Sequence, residues 1–175
     1  MVDSFLARVD PRGHVSRNGW MAYGIAAVTV VLDQLTKAWI LGQGLIPGES
    51  IPVTSFVRLT LVYNPGISFG FLAASGAGRW LLVVFALAAV IAAGVWARSL
   101  TRPLPAIALG LIMGGALGNN IIDRVRLGHV TDFIDFSPLF PWVFNVADAG
   151  INVGAALLLY EIVFGGRDAD KTPPS

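Results

Sequence analysis

Four long apolar segments, separated by more polar stretches, organise the chain. A helix needs about 20 apolar residues to cross the hydrocarbon core of a bilayer, and each segment is close to that length. The pattern therefore predicts four transmembrane helices with an outer loop after the first and the third. The segments cover residues 20–41, 80–97, 103–122 and 146–164, and the outer loops cover residues 42–79 and 123–145.

The first outer loop has a different pattern. Its segment IPVTSFVRLTLVYN is rich in β-branched and aromatic residues, alternates in part, and ends at the turn sequence Asn64-Pro65-Gly66. We expect a short sheet resting on the membrane. The predicted fold is therefore an all-α integral membrane protein with four transmembrane helices and a small β-rich outer loop region. Residues 1–175 are expected to form a single membrane domain, with a disordered tail at about 165–175.

Composition supports the membrane class and excludes several functions. Hydrophobic residues make up 55% of the chain and charged residues 13%, and the mean hydropathy is +0.69. An ordinary soluble domain carries about 25% charged residues. The net charge of +1 gives no basic surface for a nucleic acid. Cysteine is absent and only two histidines, His14 and His129, are present, so a metal would lack its usual ligands.

Basic residues are distributed unevenly between the loops. Seven precede the first segment, follow the fourth, or lie between the second and third: Arg8, Arg12, Arg17, Arg98, Arg102, Arg167 and Lys171. Four lie in the outer loops: Arg58, Arg79, Arg124 and Arg126. Because cytoplasmic loops carry an excess of Lys and Arg, this bias predicts that both termini are cytoplasmic. The aspartates of the second outer loop then lie on the outer face.

Three aspartates, Asp123, Asp132 and Asp148, lie beside the last two apolar segments. An ionised carboxylate is costly in a low-dielectric region, so such residues are paired, share a proton or have a function. Asn120 and Asn145 each precede an aspartate by three residues, which puts an amide and a carboxylate on one helical face. A structural interpretation is also open: an interfacial ion pair between Asp123 and Arg124, and Asn145 as a helix cap.

Asp132 and Asp148 indicate a reaction if their side chains meet. Repulsion would let the pair hold one proton near neutral pH, which gives one acid and one base. One carboxylate would take a proton from water while its protonated partner donates to a scissile carbonyl. Asp135 also follows an aromatic residue, but it has no recognisable motif, and we interpret it as an interfacial residue.

Several other polar residues have structural interpretations. Asp33 and Lys37 are four apart on the first segment, which supports an ion pair, and a structural or snorkelling role is favoured over catalysis. Asn64 and Gly66 are equally compatible with turn chemistry. Glu161, near the inner end of the last segment, is expected to snorkel.

Five motifs occur in an order that resembles the bacterial lipoprotein signal peptidases, or type II signal peptidases. They are DQLTK at 33–37, NPGISF at 64–69, GNNIIDR at 118–124, VTDF at 130–133 and FNVAD at 144–148. The resemblance implies an aspartyl protease of the bacterial plasma membrane with four transmembrane helices. It also implies the reaction, which is removal of a prolipoprotein signal peptide in front of a diacylglyceryl-modified cysteine.

The resemblance further implies the site residues. The catalytic pair corresponds to Asp132 and Asp148, and the supporting positions correspond to Asp33, Lys37, Asn64, Gly66, Asn120, Asp123, Arg124 and Asn145. The family's Gly-Asn pair is offset by one residue here, and counting back from Asp123 favours Asn120 over Asn119 for the asparagine position. No cofactor is implied. The expected partners are diacylglyceryl-modified prolipoproteins and membrane lipid, and we expect a monomer with its active site near the outer face.

Two other classes of protein fit the membrane aspartates. A small transporter or channel subunit would use them to bind cations or relay protons, and four spans predict that it would be an oligomer. A lipid-binding factor without enzymatic activity would use the asparagines and Arg124 to hold headgroups. The first predicts ion flux without proteolysis, and the second predicts binding without cleavage.

Overall fold

A computed structural model describes residues 14–66, 76–137 and 139–165, and it confirms the architecture of four apolar helices and a small sheet. The predicted disordered tail lies almost entirely outside these residues, as do residues 67–69 of the NPGISF motif. The long helices are α1 (Arg17–Leu41), α2 (Gly76–Ala97), α3 (Pro103–Ala116) and α5 (Val146–Phe164). A π-helix (Leu117–Asp123) and a short α4 (Arg124–Arg126) extend α3 into one span of 24 residues.

Local sequence explains where the helices begin. Ser16 caps α1 by accepting a hydrogen bond from the backbone N–H of Gly19 at 2.9 Å. Helix α3 begins with Pro103, whose missing N–H is no loss in the first turn. Asn145 and Asp148 form a capping box at the start of α5, in which each side chain accepts a hydrogen bond from the other residue's backbone N–H.

The extended third helix is the central element. In its apolar stretch 56% of the residues are buried, compared with 28%, 17% and 22% for α1, α2 and α5. Glycines permit the close packing. A Cβ on Gly114 would lie 2.6 Å from Cβ of Thr29 on α1, and a Cβ on Gly115 would collide with the Ala147 carbonyl on α5. Small residues at such contacts let transmembrane helices approach closely.

The sheet has four antiparallel strands in the order β1 (Ser50–Pro52), β2 (Arg58–Asn64), β3 (Val130–Asp135) and β4 (Val143–Phe144). Both outer loops contribute to it, although only the first was predicted to be β-rich. Val62 lies opposite Asp132 in the register of β2 and β3. Asn64, two residues further along β2, points to the same face, where it is a diagonal neighbour of Asp132.

The two ends of the helical bundle differ. At one end Ser16 donates from its hydroxyl to the carbonyl of Leu100, and Arg102 pairs with Glu161. This end gathers the start of α1, the turn between α2 and α3, and the end of α5. The snorkelling expected for Glu161 is wrong, because its side chain is buried against Arg102. The sheet and the aspartates lie at the other end.

Candidate active site

Asp132 and Asp148 line the same pocket, which has a volume of about 300 Å³. Asp132 lies on β3, and Asp148 lies in the first turn of α5. The walls combine aromatic and aliphatic side chains with a few polar groups. The complete lining consists of Asn64, Asp132, Trp142, Val143, Phe144, Asp148, Ile151 and Asn152. The structure therefore brings together the two aspartates that the sequence singled out, although they are separated by a strand and a loop.

The environment of Asp132 favours its neutral form. The side chain is buried, and the amides of Asn145 and Asn64 donate to its two carboxylate oxygens at 2.6 and 3.2 Å. Burial, followed by repulsion from Asp148, raises the pKa of Asp132 to about 6, against the lowering effects of the two amides and Lys37. Asp132 can therefore hold a proton close to neutral pH.

Asn64 is itself oriented by a turn. The backbone N–H of Gly66 donates to Oδ1 of Asn64 at 3.1 Å, which leaves the Asn64 NH₂ group free to face Asp132. Gly66 thus contributes to a turn, and Asn64 both takes part in that turn and contacts Asp132 in the pocket.

The Asn145 side chain connects the two aspartates. Its Oδ1 accepts from the backbone N–H of Asp148 at 2.8 Å, and its Nδ2 donates to Oδ1 of Asp132 at 2.6 Å. Nδ2 also donates to the Thr131 carbonyl at 3.3 Å. The side chain is fully buried, so these contacts fix its position. Asn145 is thus a helix cap, as the structural interpretation proposed, and at the same time a bridge between the carboxylates.

Asp148 receives further donors. The backbone N–H of Asn145 donates to its Oδ2 at 3.2 Å, and Nδ2 of Asn119 donates to its Oδ1 at 2.7 Å. The position at the N-terminus of α5 adds the favourable end of the helix dipole, which stabilises a negative charge. These donors and the helix dipole stabilise a negative charge on Asp148, whereas the desolvation of the half-buried side chain opposes that charge.

Lys37 fixes the orientation of Asn119. The lysine donates to Oδ1 of Asn119 at 2.6 Å, and an ammonium group has no acceptor, so the Asn119 oxygen must face it. The Asn119 NH₂ group then faces Oδ1 of Asp148 and Oδ1 of Asn145. A chain of contacts thus runs from Lys37 through Asn119 to the site.

Two buried carboxylates surround Lys37. Its Nζ lies 2.8 Å from Oδ2 of Asp33 and 2.8 Å from Oδ2 of Asp123, so all three N–H groups of the ammonium have partners. The Asp33–Lys37 ion pair predicted from the spacing is confirmed. Asp33 also accepts from the backbone N–H of Ala147 at 3.0 Å, which joins α1 to the first turn of α5. Gln34 donates to both carboxylates and was missed by the sequence analysis, although it stands inside the DQLTK motif.

Asn120 and Arg124 contact each other, and Asn119 contacts Asp148. Counting residues favoured Asn120, but it is Asn119 that contacts Asp148, while Oδ1 of Asn120 accepts from Nε of Arg124 at 3.2 Å. The interfacial pair of Asp123 with Arg124 is also wrong, because Asp123 pairs with Lys37. Arg124 instead donates to the Pro65 carbonyl at 3.2 Å. Both asparagines lie in the π-helix, whose turn is wider than that of an α-helix, so a spacing of three residues no longer puts Asn120 and Asp123 on one face.

Asp135 and His129 lie outside the pocket lining. Asp135 accepts from the Thr60 hydroxyl at 2.6 Å, a hydrogen bond that holds the pKa of its carboxyl below the usual range. The His129 ring packs on Tyr63 with 4.1 Å between centroids, and burial lowers the pKa of the imidazole. In the described part of the chain, no three His, Asp or Glu side chains form a group suited to a metal ion.

Comparisons with known proteins agree with this geometry. The family model described as "Signal peptidase (SPase) II" matches residues 25–164. A lipoprotein signal peptidase of Caulobacter vibrioides is 58% identical over 153 residues, which cover 86% of this chain and 91% of the relative. One from Rhodopseudomonas palustris strain TIE-1 is 43% identical over 156 residues, covering 85% and 94%. A solved structure described as a bacterial membrane enzyme is similar with a TM-score of 0.71 and 28% identity, covering 88% of this chain and 93% of that one.

The fold and the paired carboxylates define a membrane-embedded protease of the aspartic type. The chain belongs to the signal peptidase II family, and it is a bacterial inner-membrane protein. The transporter and the lipid-binding factor are not favoured by these similarities.

Proposed function

We propose that Asp132 and Asp148 are the catalytic pair, and that they hydrolyse the peptide bond in front of a diacylglyceryl-modified cysteine in prolipoproteins. One observation carries this assignment. The buried Asn145 side chain contacts both residues, and both line one pocket, which keeps the two carboxylates within reach of a common water molecule. The names of the relatives support the substrate class, since they are lipoprotein signal peptidases.

The surroundings of the two residues suggest how they share a proton. Asp148 lies at a helix N-terminus and accepts from a backbone N–H and the Asn119 amide, all of which favour its anion. Asp132 has a pKa of about 6 because it is buried beside that anion. We therefore assign the resting proton to Asp132 and the negative charge to Asp148.

The reaction follows from this assignment. Ionised Asp148 takes a proton from water as the water oxygen attacks the scissile carbonyl carbon, and Asp132 donates its proton to the carbonyl oxygen. Asp132 then takes back the hydroxyl proton of the tetrahedral intermediate while Asp148 gives its proton to the leaving nitrogen. The C–N bond breaks, and the pair returns to its starting state. Asn145, Asn64 and Asn119 hold the carboxylates in place throughout.

We propose that the pocket faces the outer side of the membrane. Arg98 and Arg102 lie at the opposite end of the bundle, where basic residues favour the cytoplasm. This orientation leaves the lipid of the substrate in the outer leaflet while its cysteine reaches the pocket. We propose that the protein acts as a monomer, since Asn64, Asn119 and Asn145 of the same chain supply amide donors to both aspartates.

Cleavage of a synthetic diacylglyceryl-cysteine signal peptide by the purified protein in detergent tests the catalytic assignment. Asp132→Asn and Asp148→Asn should each lower kcat by at least about 10³-fold, since each removes a general acid or base. Asp135→Asn is the matched control, because this buried carboxylate lies on the same strand but outside the pocket lining, and it should keep activity within about threefold. Substantial activity in Asp132→Asn or Asp148→Asn would refute the assignment of these two residues as the catalytic pair. Equal cleavage of a peptide with an unmodified cysteine would refute the lipid requirement.

The orientation has a separate test, which exploits the absence of cysteine. Ser55 is exposed at the tip between β1 and β2, and Thr101 is exposed between α2 and α3. A membrane-impermeant maleimide should label Ser55→Cys from the outer side of the inner membrane, and should label Thr101→Cys only after lysis. The reverse pattern would contradict the proposed orientation.

A further inference from the structure

Asn152 is a polar side chain of the pocket that the catalytic contacts do not use. It lies on α5 four residues after Asp148, and it lines the pocket beside Ile151. Asn152 is exposed, and its amide makes no hydrogen bond with any residue that the structure describes. A side-chain amide on a transmembrane helix is costly without a partner, because hydrocarbon offers none. The arrangement indicates that a ligand supplies the missing partner.

The position of Asn152 determines which part of a substrate it meets. Residues four apart on a helix share a face, and the helix rises about 6 Å between them. Because α5 starts at Val146 and runs on to Phe164, Asn152 lies deeper along the helix than Asp148. A signal peptide bound at the pair must leave the pocket toward the membrane, along this side. In extended chain, about 6 Å corresponds to about two residues.

The chemistry of Asn152 matches a peptide group. A chain must be extended for its scissile bond to reach two carboxylates, so its backbone N–H and C=O groups near the bond lack helical partners. The nearby walls are formed by Trp142, Phe144 and Ile151, whose aromatic and aliphatic surfaces bind side chains but leave a buried peptide group unsatisfied. An asparagine amide has both a donor and an acceptor, and can therefore pair through two hydrogen bonds with the N–H and C=O of one residue in an extended chain.

We propose that Asn152 binds the backbone peptide group about two residues before the scissile bond and holds the signal peptide extended across the pocket. The inference rests on the proposed catalytic pair and adds a positioning residue to it. Asn152 contacts the backbone, so it contributes the same binding energy to substrates with different side chains. It binds substrate in the ground state and in the transition state alike, so its loss acts on KM.

The experiment compares Asn152→Ala with wild type on matched lipopeptides. Asn152→Ala should lower kcat/KM by about 5- to 30-fold, the effect of one hydrogen bond to the substrate, mainly through KM and with kcat within about threefold. Its pH profile should stay that of wild type. Val153→Ala, at an exposed neighbour on the same helix, is the control and should change kcat/KM less than twofold. Asn152→Gln should recover part of the loss, because the amide is retained.

Backbone-modified substrates separate this contact from a merely structural role. An ester replaces each of the three peptide bonds before the scissile bond in turn, which removes one N–H donor at a time. At one position the ester should weaken cleavage by wild type about as much as Asn152→Ala does, and should cause no further loss in Asn152→Ala. If at all three positions the ester lowers kcat/KM by the same factor in Asn152→Ala as in wild type, the inference is overturned.

The remaining outcomes are also decisive. If Asn152→Ala lowers kcat/KM for ester-linked lipopeptides but not for ether-linked ones, the Asn152 amide binds the glyceryl ester. That result would overturn the contact with the peptide backbone. If Asn152→Ala unfolds, Asn152→Gln and Asn152→Ser carry the same ester comparison. Failure of wild type to cleave, or activity in Asp148→Asn, would refute the catalytic pair. An active wild type whose kcat/KM does not depend on Asn152 would refute this inference alone.

Discussion

The sharpest prediction compares two adjacent asparagines. Asn119 donates to Asp148 at 2.7 Å and accepts from Lys37 at 2.6 Å, whereas Asn120 accepts from Arg124 at 3.2 Å. Asn119→Ala removes two hydrogen bonds that involve charged groups and leaves the buried Lys37 ammonium one partner short. Asn120→Ala removes one longer contact. The two variants are matched in sequence position and chemistry, and differ in what they touch.

The expected magnitude follows from the contact to Asp148. A hydrogen bond to a charged group is worth about 1.5–3 kcal/mol. If it is lost at the step in which Asp148 takes the proton, kcat falls by about 10- to 150-fold in Asn119→Ala, while Asn120→Ala stays within about fivefold. Asn119→Asp keeps an acceptor for Lys37 and removes the NH₂ donor, so it should lose activity with less destabilisation than Asn119→Ala.

The assay is single-turnover cleavage of the lipopeptide, with thermal unfolding of each variant in the same detergent. Single turnover isolates the chemical step from product release. The reasoning is refuted if Asn119→Ala keeps kcat within about twofold of wild type. It is refuted equally if Asn120→Ala is the more damaging change.

Three further predictions concern charge, protonation and packing. Lys37→Met leaves the buried carboxylates of Asp33 and Asp123 without their cation, and should lower the free energy of unfolding in mixed micelles by about 3–5 kcal/mol. A change under about 1 kcal/mol would contradict the role of Lys37 as their counter-ion. Asp132 has a pKa of about 6 and must start protonated, so log kcat/KM should fall with a slope near −1 above about pH 6. A profile that stays flat to about pH 9 would exclude Asp132 as the general acid. Gly115→Val should prevent α3 and α5 from packing and abolish folded protein, whereas Gly24→Ala, which has open space around it, should fold normally in the same expression test.

The helical part of the fold could be predicted from the sequence because hydropathy reports directly on the bilayer. The strands divide into two cases. Strands β1 and β2 follow from β-branched residues in one continuous segment, but β3 pairs with β2 across about 70 residues of chain. Val130, Thr131, Phe133 and Ile134 favour a strand, but the run is short, two aspartates interrupt it, and its partner strand is distant in the sequence.

The site could be predicted where short spacing on regular helices determines contacts. Asp33 with Lys37 and Asn145 with Asp148 are such cases. Asn119 could not be found in this way, because the spacing rule assumes an α-helix and the chain forms a π-helix at that position. Asn152 was missed for another reason. A lone asparagine in an apolar span has no partner in the sequence, and its importance comes from a pocket that only the folded chain creates.

The ion pair on α1 has a consequence for how the protein enters the membrane. Lys37 and Asn119 are separated by 82 residues, and Asp33 and Ala147 by 114, so α1 is synthesised long before the groups that will surround its charges. An isolated Asp or Lys at the centre of a helix costs about 2.5–3.5 kcal/mol to insert. Asp33 and Lys37 lie one helical turn apart, with Nζ 2.8 Å from Oδ2, so their charges neutralise each other before the later helices are inserted. The ion pair thus first lowers the cost of inserting α1 into the membrane, and it joins the contacts around the pocket only after α5 has been inserted.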